Sequence, residues 1–200
     1  MTSGLPYSEA CERNKEPILS ALLQVLPKRG RILEIGSCTG QHVVYFSPSF
    51  PEVDWYPSDQ AEYLEGLTAR VRQQSISNIA EPIELNVFNH WPQMSFDAVY
   101  SANTAHIMSW NAVCAMFSGV GDVLVPGGTF CLYGPFNVEG RFTSTSNEAF
   151  DSSLRMRDPE MGIRDLESLE SLAHSNQMGL GRQFELPANN RLLVFLKNGG

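Results

Sequence analysis

The stretch Arg31 to Gln41, RILEIGSCTGQ, constrains the fold of this chain more than any other. A hydrophobic-rich run leads into an acid, Glu34. Gly36 and Gly40 follow, with the small residues Ser37, Cys38 and Thr39 between them, and Gln41 to Phe46 then reads as a helix. The pattern is strand, tight turn, helix. Glycine suits such a turn because the chain reverses through conformations costly for other residues, and because a ligand can approach bare backbone. The helix start is expected to aim free N–H groups and a positive dipole end into the same crevice, which suits a carboxylate or phosphate. The dinucleotide fingerprint is G-x-G-x-x-G. Here the spacing is E-x-G-x-x-x-G with no third glycine. A purely structural turn in another α/β protein fits the motif as well, so its neighbours decide.

The 200 residues suit one domain with a full core, and residues 1–200 are read as one. The net charge of −8 disfavours tight binding to phosphate-rich partners, so no nucleic acid is expected. No apolar run is long enough to span a bilayer. The N-terminus has no basic start followed by an apolar stretch, so no secretory signal is read. These features predict a cytoplasmic protein that takes a small molecule and has no membrane partner. Cys11, Cys38, Cys114 and Cys131 show no C-x-x-C pair and no metal spacing. They read as reduced, mostly buried thiols.

Residues 1–16 read as an irregular N-terminal segment. Ile18, Leu19, Leu22, Leu23 and Leu26 then recur at helical spacing. Arg13 and Asn14 precede that helix, as solvated residues or as contacts to a ligand beneath it. Strand one is Arg31–Ile35 and strand two about Val53–Tyr56. Asp59 closes strand two, where an acid accepts from ribose hydroxyls in nucleoside-binding α/β folds. It also fits as N-cap of a helix over Ala61–Gln74. Strand three is Ile83–Val87, with Asn86 and Val87 at its carboxyl end. Strand four is Phe96–Ser101, followed by Asn103 and His106. Ligands sit outside the carboxyl ends of such strands, so His106 is the one histidine placed near a reaction centre. It fits as a general base or as a packing residue. Residues 111–124 read as helix, and Thr129–Tyr133 as strand five. From Gly134 to Gly162 the chain is rich in small polar residues, with a short helix near Asn147–Arg155. A connection this long is usually functional, so 134–162 is read as a substrate-covering insertion. Tyr133 and Asn137 are candidate substrate contacts at its start. Arg141, Arg155, Arg157 and Arg164 fit as carboxylate clamps or as partners of Asp151, Asp158 and Asp165. Asp165–Gln177 is the last helix. Leu180–Leu186 and Arg191–Lys197 form a final hairpin, whose turn residue Asn189 fits as a substrate contact or as turn chemistry.

The E-x-G-x-x-x-G turn, together with Leu124-Val125-Pro126-Gly127-Gly128 between helix and strand five, resembles the class I S-adenosylmethionine (SAM) dependent methyltransferases. The resemblance implies an α/β fold with a Rossmann-like seven-stranded sheet, a C-terminal antiparallel hairpin and helices on both faces. It implies SAM as cofactor, held by Glu34, Gly36, Ser37, Thr39, Gly40, Asp59, Asn86, Val87 and Asn103. Asn86 would take the adenine amine and Asn103 the methionine portion. Catalysis would fall to His106, and substrate contact to Arg13, Asn14, Tyr133, Asn137 and Asn189.

The blocks SEACERNKEPIL, LEIGSCTGQHVVYF, WYPSD, ANTAHI, LYGPFN, TSTSNEAFDSSLRMRDPEMGIRDLE and LPANN resemble, across nearly the whole chain, an uncharacterised methyltransferase-like family of bacteria and animals. Two positions depart from that pattern: Asn86 stands where Asp is usual, and Cys38 where Gly or Ser is usual. The chain has no Asn-Pro-Pro-Tyr run for base amines, no Pro-Cys nucleophile and no acidic metal triad. His42, His90, His106 and His174 make no ligand cluster. The expectation is metal-free in-line methyl transfer to a small-molecule nucleophile. The alternatives are methylation of protein or RNA, or non-catalytic SAM binding. A nicotinamide oxidoreductase is disfavoured by the glycine spacing and the final hairpin.

Overall fold

The computed structural model describes residues 4–89 and 91–199. His90 and the first three positions of the N-terminal segment lie outside the described residues. One mixed sheet dominates the chain. Its strands are β1 (Arg29–Ile35), β2 (Glu52–Asp59), β3 (Ile83–Glu84), β4 (Phe96–Ala102), β5 (Leu124–Gly134), β8 (Met178–Leu186) and β9 (Asn190–Lys197). Their order is β3-β2-β1-β4-β5-β9-β8. A separate two-stranded ladder pairs β6 (Phe136–Asn137) with β7 (Arg164–Asp165). Strands β1 to β5 run parallel, and β9 lies antiparallel between β5 and β8. The β8–β9 turn therefore reaches the same end of the sheet as the carboxyl ends of the parallel strands.

Strand alternation divides the core. Leu33, Ile35, Val99, Phe130 and Leu132 face helices α4 (Trp110–Val123) and α6 (Leu166–Ser175). Ile32, Ala98, Tyr100, Cys131 and Tyr133 face α1 (Glu9–Leu22), α2 (Gln41–Phe46) and α3 (Ala61–Gln74). Helices thus cover both faces. Trp55 and Phe117 are fully buried, one on each side. Burying a side chain of that size stabilises by about 1.5–3 kcal/mol.

Several boundaries differ from the sequence reading. Helix α1 begins at Glu9, because Ser8 caps it by accepting the Cys11 amide at 3.3 Å and Glu9 and Glu12 suit its first turn. Pro17 lies inside the helix without ending it. Strand β3 stops at Glu84; Asn86 instead bridges Asn89 and folds the edge back. Strand β2 runs on through Pro57. Trp55 exchanges hydrogen bonds with Asn78 and Ala80 on the side away from β1. Two residues on, the missing Pro57 N–H falls on that same outer side, where no full ladder needs it. The Pro126-Gly127-Gly128 segment is a bulge within β5 rather than a loop before it: Leu124 pairs with Phe96, and pairing resumes at Thr129 with Ala98.

Candidate active site

The glycine turn joins β1 to α2. Gly36 has φ of 73° and Gly40 of 72°, both left-handed. A Cβ on Gly36 would stand 2.6 Å from the Thr104 methyl, so the β1 and β4 ends approach too closely for a side chain. Cys38 is also left-handed, at 47°. Its amide donates to Asp59 Oδ2 at 2.6 Å, and Asp59 Oδ1 accepts from the Gln60 amide at 2.8 Å. Gly36 and Ser37 amides both donate to Ser58 O at 3.0 Å, and that of Gly40 to Ser37 O at 2.8 Å. Four amides of this turn are therefore occupied inside the protein. The turn itself presents bare backbone and an acid to the space beside it.

Beside the turn lies a cavity of about 520 Å³ at the carboxyl ends of β1, β2 and β4. Gly36, Ser37, Asp59, Asn86, Val87, Asn103 and His106 are among the residues that line it. Asp59 is buried, and burial raises its pKa above the ordinary carboxylate value. Its two engaged oxygens retain further lone pairs for a ligand. Asn86 Oδ1 already accepts the Phe88 amide at 3.1 Å. Asn103 is left-handed at 59°, and its amide donates to Tyr133 O at 2.9 Å. That bond holds the β4 tail against β5.

His106 is buried, with its ring edge-on to Phe150 at 5.2 Å between centroids. Burial first, and the Arg164 guanidinium second, hold its pKa down at about 4. The imidazole is neutral at physiological pH. Its loop is gripped from the far side. Arg164 Nε donates to Ala105 O at 3.0 Å, Arg164 Nη2 donates to Met108 O, and the Gly162 amide donates to His106 O at 2.9 Å. Phe150 comes from α5 (Thr145–Arg157), the helix inside the 134–162 connection.

The N-terminal segment forms another wall through Ser8, Ala10 and Cys11. Gln41 clasps Ser8 twice: Ser8 N donates to Oε1 at 2.6 Å, and Nε2 donates to Ser8 O at 3.2 Å. Arg70 ties Pro6 O and Thr39 O to α3.

A family profile described as "Protein of unknown function (DUF938)" matches residues 5–197. This chain belongs to that family. The fold of this DUF938 chain is shared with an O-methyltransferase family protein from Burkholderia thailandensis at TM-score 0.82 and 12% identity, over 96% of this chain and 58% of that one. The mitomycin 7-O-methyltransferase MmcR matches at TM-score 0.81 and 10% identity, over 94% and 54% respectively. The YcgJ protein of Bacillus subtilis matches at 0.73 and 17%, over 94% of this chain and all of that one. The chain thus spans little more than half the length of the first two. At these identities the likeness shows the fold, that of the class I SAM-dependent methyltransferases.

Other candidate residues of the DUF938 chain do not line the cavity. Glu34 points with Ile32 toward the α1–α3 side, where it accepts from the Trp55 indole at 2.9 Å. Burial drives its pKa up to about 8. Thr39 and Gly40 lie behind the turn; Thr39 Oγ1 sits 3.1 Å from Gln41 Oε1. Arg13 is exposed and pairs with Glu9 at 3.2 Å. Asn14 stands behind His42, with its Oδ1 2.8 Å from His42 Nε2. Tyr133 is buried on the α1–α3 side, because its strand parity turns it from the cavity. Asn137 is buried away from it, and its Oδ1 has no partner among the described residues. Asn189 is exposed in the β8–β9 turn at φ 56°, with its carbonyl accepting from Asn147 Nδ2 at 3.3 Å.

The arginines of the connection do not line the cavity either. Arg155 pairs with Asp151 at 2.7 Å, and Arg164 serves backbone carbonyls. The thiols are less buried than expected: Cys131 alone is fully enclosed, and Cys38 is exposed. Among the described residues no three His, Cys, Asp or Glu side chains gather as a metal-holding group. No helix among them is long and apolar enough to cross a membrane.

Sequence reasoning missed Ser8, Cys11, His42, Tyr63, Ile107 and Phe150 as cavity residues. A signal existed for Phe150, the aromatic of a helix in a connection already read as a cover. His42 carried none: both its ring nitrogens are engaged, by Asn14 and by the Tyr100 hydroxyl at 3.2 Å.

Proposed function

We propose that this chain is a SAM-dependent methyltransferase that acts on a small-molecule nucleophile by metal-free in-line displacement. The observation that carries the reading is the wiring of the glycine turn. Four of its amides are occupied internally, so a dinucleotide pyrophosphate finds few donors there, whereas Asp59 offers acceptors to the hydroxyls of a nucleoside. A nucleoside without phosphates fits this end. Gly36 and Ser37 would meet it through backbone, Asp59 through the ribose, and Asn86 and Val87 through the base. Asn103 stands between that end and His106.

When bound, SAM supplies an electrophilic methyl group: the nucleophile–carbon bond forms as the carbon–sulfur bond breaks, and the electron pair stays on sulfur. The chain's own contribution is alignment and exclusion of water, which accounts for most of the acceleration in such transfers. Where the nucleophile is a hydroxyl, its proton becomes acidic as the new bond forms, and a ring nitrogen of neutral His106 receives it. The α5 helix closes over the same end through Phe150, which supports a small acceptor over a macromolecule and makes 134–162 its cover. The acidic net charge supports the same choice over nucleic acid.

Calorimetric titration with SAM and with S-adenosylhomocysteine tests the reading. Saturable binding of both is expected. A folded protein that binds neither overturns it.

A further inference from the structure

The acceptor end of the cavity differs from the nucleoside end in one respect: it lacks ionised side chains. Its walls come from the chain after β4, with His106, Ile107, Met108 and Ala112, and from Phe150 of α5, whereas Asp59 ends β2, with β1 between β2 and β4. The charged residues nearby are turned elsewhere. Arg164 directs Nε and Nη2 to the carbonyls of Ala105, Met108 and Glu160, and its guanidinium lies 5.9 Å from the Trp110 ring centroid. Asp151 receives Arg155 at 2.7 Å and the Ile163 amide at 2.7 Å. Asp165 Oδ1 accepts the Gly140 amide at 2.9 Å.

A carboxylate or an ammonium entering this end would lose its hydration without gaining a direct partner, and an unpaired buried charge costs several kcal/mol. The rim is apolar too. Ile107 is 46% exposed and Phe150 39%, a large apolar area for side chains at a cavity mouth. One polar feature remains: the His106 ring makes no side-chain hydrogen bond among the described residues, while Phe150 meets it edge-on. A neutral imidazole can accept one hydrogen from a ligand. A flat ring against Phe150 gains stacking or edge contact.

We propose, building on the methyltransferase reading, that the acceptor is an uncharged, flat aromatic molecule carrying a hydroxyl, seated against Phe150 with that hydroxyl toward His106. Carboxylated, phosphorylated and cationic acceptors are excluded by the same walls.

The test uses the full chain saturated with S-adenosylhomocysteine and four probes on one bicyclic frame: 2-naphthol, 2-methoxynaphthalene, 2-naphthoate and 2-naphthylmethylammonium. Dissociation constants come from ligand-observed NMR. 2-Naphthol is expected to bind at least about tenfold tighter than either charged probe, the penalty for an uncompensated charge. It should also bind tighter than 2-methoxynaphthalene, and His106→Leu should remove that second difference while leaving S-adenosylhomocysteine affinity in place. Equal or tighter binding of a charged probe overturns the proposal, as does failure of all four to bind. An unchanged hydroxyl preference in His106→Leu overturns the role of His106. Failure to bind S-adenosylhomocysteine at all removes the methyltransferase reading itself, and this proposal with it.

Discussion

Asp59 and Cys38 are bound to each other across the mouth of the cavity: the Cys38 amide, held left-handed, donates to Asp59 Oδ2 at 2.6 Å. One carboxylate therefore both fixes the shape of the glycine turn and faces the space beside it. Replacing it by alanine removes a charged acceptor and frees a strained amide together. Asp59→Ala is expected to weaken SAM binding by about 1.5–3 kcal/mol, the range for hydrogen bonds to charged groups. Calorimetry on the variant measures this directly, and unchanged affinity would remove Asp59 from the cofactor site.

Glu34 gives the protein a pH-dependent liability. Its folded pKa of about 8 stands above the ordinary 4.5, with burial as the main cause. The protonated form is thus the one the fold prefers. Its stabilising share is complete below pH 4.5 and is lost as pH rises through 8. At pH 7 the loss amounts to about 3 kcal/mol, from roughly 1.4 kcal/mol per pH unit. Glu34→Gln keeps an acceptor for the Trp55 indole and cannot ionise. Melting temperatures of variant and parent should diverge from pH 5 to pH 8, with the variant higher. Parallel curves would show that Glu34 does not titrate in this way.

His42 acts with the opposite sign. Burial holds its pKa near 4, below the ordinary 6.5. Its neutral form is favoured in the fold, so this contribution is present above pH 6.5 and lost as pH falls through 4. Asn14→Leu would leave His42 Nε2 without its partner at 2.8 Å. The expected cost is about 1–3 kcal/mol of unfolding free energy at pH 7, read by urea denaturation. A variant of unchanged stability but weakened substrate binding would return Asn14 to the substrate-contact role.

Removing the Arg164 charge should raise the His106 pKa from about 4, although burial, the larger cause, remains. NMR titration of the imidazole in Arg164→Met should show the rise, and Arg164→Lys should show less of it. Identical midpoints in all three proteins would mean that Arg164 does not act on His106.

His106→Ala is expected to slow turnover while leaving SAM affinity nearly intact, because the ring follows β4 whereas Asp59 ends β2, with β1 between the two strands. Loss of cofactor binding instead would place His106 in the nucleoside site.

The parts of the fold legible from sequence were those with strong local grammar. The reading of Ala61–Gln74 matches α3 to the residue, since Leu64, Leu67 and Val71 keep helical phase and Ser75 closes the helix left-handed at 50°. Helix α1 starts earlier than its apolar spacing shows, because residues 9–16 are mostly polar and the periodic run begins only at Ile18, whereas the cap is Ser8. Within the cavity, Asp59 and His106 were legible because strand ends fix their address. Tyr133 was not, since one step of strand parity decides which face it takes. Asn14 stood at the right end of the sheet, yet its partner is a histidine side chain, a pairing no local pattern encodes. The arginines were read as clamps or as ion-pair partners; only tertiary structure shows Arg164 gripping carbonyls fifty-odd positions upstream.

That grip gives the segment after α5 a second consequence. Phe150 lines the cavity edge-on to His106, and the chain leaving its helix holds the His106 loop through Gly162 and Arg164. The Phe150 ring and the His106 loop hang from one continuous piece of chain. A displacement of α5 would pull on the anchorage of the His106 loop as well, so movement at one wall of the cavity is carried to the other.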